Sequence, residues 1–221
     1  MSGVDGGTDG GGSIDDGGTP TEGLLFTFKT VPEQIPGTAG GQFQARIRSA
    51  EFKLSRPRAI GDAAPGDSRT TRAMVELEWG EDDDDSESAS AELVFPRAPA
   101  GIYSWLRAEV VEYEISGTVT VDVDDTPTVV EFEVEDEPPG DLSLEIDLNR
   151  VELPADIQLW RIAITVDLAN MVVDLPWDDV PADGEGKRVV DRASEHIDDV
   201  RDDVTNAFTS DDDNDDNSLA M

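Results

Sequence analysis

Carboxylates are the only abundant reactive side chains in this sequence, and their spacing suits a hard cation better than a covalent reaction. Hard oxygen ligands favour calcium, and acids crowd together at three places. In the first, Asp122, Asp124 and Asp125 surround a turn, with carboxylates from a strand end and from the turn itself. In the second, Asp178, Asp179, Asp183 and Glu185 share one loop with Gly184. The third is the run Glu81 to Asp85. None has the EF-hand register of alternating acids, a glycine and a later Glu; Asp213 to Asn217 comes near it but lacks the glycine and the closing Glu. Calcium is therefore the candidate ion, with the seven acids of the first two places as its candidate ligands. For most acids the plainer reading is a solvated surface.

Aromatic side chains offer a second chemistry. Tyr103 and Trp105 follow a turn and Trp177 follows a proline, so these three are the candidates for an exposed, sugar-stacking ligand platform. Trp79 and Trp160 lie on apolar strand faces and read as core. Paired carboxylates can hydrolyse glycosides, but among 51 acids such pairs arise at any spacing by chance. A single histidine, His196, excludes any site built on two imidazoles, and zero cysteine excludes disulfides, thiol catalysis and thiolate metal sites. Ser104 and Ser143 have no nearby histidine in sequence. Gly184 to Lys187 reads G-x-G-K but lacks the spacing of a phosphate-binding loop. No catalytic residue is assigned, and a non-enzymatic chain is the expectation.

The elements that must position these residues are strands. Leu24 to Phe28 opens the body, and Phe43, Ala45 and Ile47 alternate before the parity flips to Ala50, Phe52 and Leu54. Such a flip predicts a bulge near Ser49. Met74–Trp79 and Ala91–Phe95 read as strands joined by an acidic hairpin. Ile102–Ile115, then Thr118–Val123 and Val129–Val134 around a tight hairpin, then Leu142–Leu148 and Trp160–Leu168 continue the pattern, while Met171–Leu175 extends the last strand or forms an edge. About ten such strands predict an all-β fold, an antiparallel β-sandwich. One amphipathic helix is expected at about 188–208, because Val189, Ala193, Ile197, Val200, Val204 and Phe208 share a helical face. The Gly/Asp-rich stretch 1–23 reads as a disordered linker and 209–221 as a disordered acidic tail, leaving one domain at 24–208.

Charge bounds the partners. The formal net charge is −35, with 16 basic side chains. Phosphate neutralisation needs clustered Lys and Arg, so nucleic acid is disfavoured. Eight basic residues do gather between 24 and 80, against six acids. Arg46 and Arg48 there read as outward strand residues that pair with acids across the sheet. No apolar run is long enough to span a bilayer, and no basic-then-apolar leader follows Met1.

The segment Phe95-Pro-Arg-Ala-Pro-Ala-Gly101-Ile-Tyr103-Ser-Trp-Leu-Arg107 resembles the P-A-G-x-Y-x-x-x-R turn-and-strand of secreted bacterial and archaeal β-sandwich domains of unknown function. Those domains are often lipid-anchored behind a Gly/Asp/Thr/Ser linker. The likeness covers residues 93–175. The chain departs from it in lacking the lipid-attachment cysteine, as a sequence beginning after that cysteine would. In this segment Pro99 and Gly101 set the turn, Tyr103 and Trp105 are expected on one face, and Arg107 is expected to meet strand acids. The resemblance implies a surface location and assigns no catalytic residue.

The expectation is a non-enzymatic binding or structural module of the cell envelope or the extracellular space. Calcium is a candidate aid, and a cell-surface, protein or carbohydrate partner is expected. Two alternatives follow from the same residues. One is a carboxylate-based enzyme or binding module for polysaccharide. The other is a cytoplasmic protein of a halophile whose acidity is salt adaptation.

Overall fold

The computed structural model describes residues 22–39, 43–61, 68–71, 74–80, 91–96, 98–123, 125–140, 142–156 and 159–210. The acidic run at 81–85, Asp124 and the near-EF-hand stretch at 213–217 lie outside these residues, as do most of the expected linker and tail.

Two long strands organise the larger sheet: β3 (Ala45–Gly61) and β7 (Gly101–Val123) run antiparallel along most of their length. On its other side β3 pairs with β2 (Gly37–Ala39), β4 (Ser68–Thr71) and β5 (Met74–Gly80). On its other side β7 pairs first with β9 (Leu142–Leu153) and then with β8 (Thr126–Asp136), which carries β11 (Arg188–Val190) at its edge. The smaller sheet has the order β12 (Phe208–Ser210), β10 (Leu159–Asp167), β1 (Gly23–Val31), β6 (Ala91–Phe95). Two short helices complete the described fold, α1 (Asn170–Val173) and α2 (Ile197–Asn206).

The fold is all-β, but its sheets are mixed rather than purely antiparallel. β1 and β10 are parallel, as are β8 and β11. Parallel neighbours need a long connection, and β1 is buried at Leu24, Leu25, Phe26 and Phe28, consistent with cover on both faces. The parity flip in β3 is a bulge: Ile47 pairs with Gly117 and Ser49 with Ser116, leaving Arg48 extra. The expected tight hairpin closes with Val123 opposite Thr126 and Asp125 at φ 59°.

Four other expectations change. β5 and β6 belong to different sheets, so the acidic run between them does not close a hairpin. The 188–208 stretch is helical only at 197–206. Residues 188–190 form β11 and bury Val190 instead of Val189, because a strand selects alternate residues. Thr209 and Ser210, assigned to a disordered tail, belong to β12 on the edge of β10. Met171–Leu175 is not a strand, since α1 occupies most of it and buries Met171, Val172 and Val173.

One core joins the sheets. Phe208 of β12 meets Phe28 of its own sheet at 6.4 Å and Phe52 of the other at 5.5 Å, both edge-on. Phe52 also stacks on Tyr113. α2 buries Ile197, Val200 and Val204 and packs beside α1, β9 and β12. No helix among the described residues is long and apolar enough to cross a membrane.

Candidate functional site

A recess arises where β7 changes partner. Its last pair with β8 is Tyr113–Asp136, and its first with β9 is Val110–Leu142. The ladder opens between them, and groups from both faces of the sheet reach one cleft of about 650 Å³. Glu112, Tyr113 and Glu114 of β7, Glu135 and Asp136 of β8, Glu137, and the turn Asp191–Arg192–Ala193 line it. β11 runs parallel to β8 and so delivers that turn to the end of β8. Arg192 Nη2 donates to Glu137 O at 2.5 Å, and Asp191 Oδ1 accepts from Ala193 N at 2.9 Å.

The floor is polar and buried. Asp136 takes the inward parity of Phe132 and Val134, and its side chain is 0% exposed. Arg201 on α2 donates from Nε to Asp136 Oδ2 at 2.7 Å and from Nη1 to Asp198 Oδ1 at 2.8 Å. An uncompensated carboxylate at this depth costs several kcal/mol, so the guanidinium is what permits Asp136 to be there. Asp136 Oδ1, the Tyr113 hydroxyl and Arg201 Nη2 are buried without a hydrogen-bond partner among the described residues. Burial pushes the Tyr113 phenol up, Asp136 adds to this, and Arg201 opposes it.

The outer rim carries unusual charge. Glu78, Glu51, Glu114 and Glu135 stand directly opposite one another on β5, β3, β7 and β8. At strand spacings of about 4.8 Å this row is about 14 Å long. Directly opposed like charges destabilise a sheet. Glu114 is accordingly pushed up, first by desolvation and then by Glu133, Glu135 and Glu51, with Lys187 opposing. Cations sit to either side of the row. Lys53 donates to Glu112 at 2.7 Å and lies 3.1 Å from Glu51 and 3.7 Å from Glu76. Lys187 pairs with Glu133. Among the described residues none of the chain's own cations pairs with Glu114 or Glu135.

The residues singled out from sequence are placed differently. Asp122 and Asp178 do meet, Asp122 N donating to Asp178 Oδ1 at 3.0 Å. Asp183 Oδ1 is engaged by its own loop, accepting from Glu185 N at 2.8 Å and Lys187 N at 3.0 Å, which hold its carboxyl below the usual range. Asp125 and Asp179 are exposed, and Asp179 N bonds Pro176 O within its own turn. Among the described residues the one group of three carboxylates with ligand atoms within 4.8 Å is Glu51, Glu76 and Glu78, none of them singled out in sequence.

The aromatic platform does not form. Trp177 is fully buried on Phe132 at 4.8 Å, and its Nε1 donates to Val172 O at 2.7 Å. Tyr103 is also fully buried, and its hydroxyl donates to Pro99 O at 2.6 Å, closing the turn that Pro99 and Gly101 begin. A register shift between Tyr103 and Trp105 breaks the alternation, so the two do not share a face. Trp105 is half-buried, with the Arg107 guanidinium 6.0 Å from its ring centroid. Arg107 meets Glu145 and Arg48 meets Glu131, as the alternation suggested.

Compared with protein-family models, curated proteins and solved structures, the chain matches none.

Proposed function

We propose that this protein is a non-catalytic binding module of the cell envelope or extracellular space, built as a sandwich-like pair of sheets, whose ligand enters the cleft at the β7 partner change. The observation that carries this reading is the cleft floor, where Tyr113 and Asp136 are buried yet retain unused hydrogen-bonding atoms. Binding is favoured over acid–base chemistry because the Asp136 carboxylate is tied up by an ion pair and the Tyr113 phenol is buried. Arg201 engages Asp136 Oδ2 directly at 2.7 Å, and burial pushes the Tyr113 phenol up. A polysaccharide-cleaving enzyme is less well supported, since neither Trp105 nor Trp177 lines the cleft. The envelope location follows from the Gly/Asp-rich stretch 1–23, which suits a tether. Calcium remains a candidate ion at Asp122 and Asp178.

The test is an amide-resolved NMR titration of the full chain with oligosaccharides, calcium, a lysine-rich peptide and small organic cations, each alone. Saturable shifts centred on Tyr113, Asp136 and Ala193 for at least one of them are expected. Shifts spread evenly over the acidic surface, or turnover of a glycan, would overturn the reading. Protease shaving of intact cells tests the location, and protection of the chain from added protease would count against it.

A further inference from the structure

We propose that the cleft takes a linear organic polyamine, a chain of ammonium centres separated by short methylene spacers, which extends along the carboxylate row of the sheet. This rests on the binding reading above.

Charge sets the sign of the ligand. Six of the nine lining residues are acidic and one is basic. Two of the six have partners already, Asp136 through Arg201 and Glu112 through Lys53. Glu114, Glu135 and Glu137 remain to meet a positive ligand, together with the second carboxylate oxygen of Asp191, whose Oδ1 accepts from Ala193 N.

Dispersion sets its form. A single metal ion needs several oxygens converging on one point. The one described carboxylate group that converges in that way is Glu51–Glu76–Glu78, and none of its members lines the cleft. The cleft acids are spread out, and 650 Å³ falls in the range of small-molecule sites rather than of ion sites. Several cationic centres on one flexible chain match dispersed carboxylates. Methylene spacers match the apolar part of the lining, to which Ala193 contributes.

Depth and direction add two constraints. Asp136 Oδ1, an acceptor, and the Tyr113 hydroxyl, which accepts as well as donates, are unpartnered atoms of two lining residues, so they suit one ammonium group inserted end-on. Arg201 Nη2, a donor, belongs to a residue that does not line the cleft. From the rim, Glu114 and Glu135 lead out along the row to Glu51 and Glu78, a span of about 14 Å comparable to an extended tri- or tetra-amine.

The experiment is calorimetric titration of the full chain with spermidine in 0.15 M KCl, with calcium, magnesium and an oligolysine peptide as parallel arms. One-to-one binding of spermidine is expected. Glu114→Gln/Glu135→Gln should weaken it about tenfold or more, because it removes the charge from two charge-assisted hydrogen bonds. Tyr113→Phe should weaken it several-fold while leaving the thermal melt intact. Glu92→Gln/Glu195→Gln, which removes equal charge elsewhere, should change it less than about twofold, as expected of screened distant charges. Equal losses in both double variants would show diffuse attraction and overturn the proposal. Binding of oligolysine or a divalent ion at the cleft without spermidine would overturn the polyamine and leave the binding module standing. Silence in every arm, with no cleft-centred shift in the NMR titration, would remove both.

Discussion

Asp136 and Arg201 form the pairing on which the cleft floor depends. Arg201→Met leaves a buried carboxylate uncompensated and should cost about 3–5 kcal/mol, read as a lower urea midpoint. Asp136→Leu combined with Arg201→Met removes both charges and should recover most of that loss. If the double variant is no more stable than the single, the ion pair is not what holds the site. Glu114 behaves in the opposite sense. Its carboxyl and that of Asp203 are pushed up, Asp203 by desolvation and then by Asp174, Asp199 and Asp202. Between the ordinary carboxylate value and the raised one, the folded state holds more protons than the unfolded chain. Stability from these groups is therefore full at lower pH and lost as pH rises through that window. Glu114→Gln should flatten this dependence and raise stability at pH 7 by about 0.2–0.5 kcal/mol, a cross-strand value reduced for solvent screening. Melts of both proteins from pH 4 to pH 8 check it; parallel curves would refute the assignment. Asp136 was not singled out from sequence, where its one signal is an acid at inward parity behind Phe132 and Val134. The burial of Trp177 was not legible, because its place after a proline suggested exposure while its indole fills a pocket against Phe132, far away in the chain.

At the scale of elements, β7 is the strand through which everything is registered. Gly117 sits opposite the β3 bulge, and a Cβ there would lie 2.1 Å from Arg46 O and 2.9 Å from the Phe132 ring. Backbone cannot yield as a flexible side chain can. Gly117→Ala should therefore destabilise by about 1–3 kcal/mol, as overpacking does, measured by urea unfolding. A near-neutral result would mean the β3–β7 ladder is looser than its register implies. The bulge was legible because an inserted residue reverses the parity of every apolar position after it. The parallel β1–β10 pair was not legible. Hairpins mark themselves with turn residues, whereas partners separated by more than a hundred residues leave no local sign.

For the molecule as a whole, the charge is an environmental matter. The carboxylate row and the acidic face of α2 repel themselves, and molar salt shortens the range of that repulsion to about 3 Å. Molar KCl should raise the melting temperature more than millimolar calcium does, because among the described residues the acids expected to bind calcium form no converging group and Asp183 is engaged by its own loop. An EDTA-reversible rise of several degrees with calcium would reverse this and point to Asp122 and Asp178. Absence of any salt effect would separate the acidity from stability altogether.

The sequence alone determined which residues face inward along the regular stretches of strand. Side-chain direction in a strand has a period of two and is set locally, so Phe52, Leu54, Leu77 and Phe132 could be placed in the core, and Glu76, Glu78, Glu114 and Glu135 outside it, before any partner was known. Only the tertiary structure decided which strands meet and in what register. That choice depends on closing long loops and on burying two sheets against one another. It set four glutamates from four strands in one row, brought Arg201 beneath Asp136, and opened a cleft where β7 exchanges one neighbour for another.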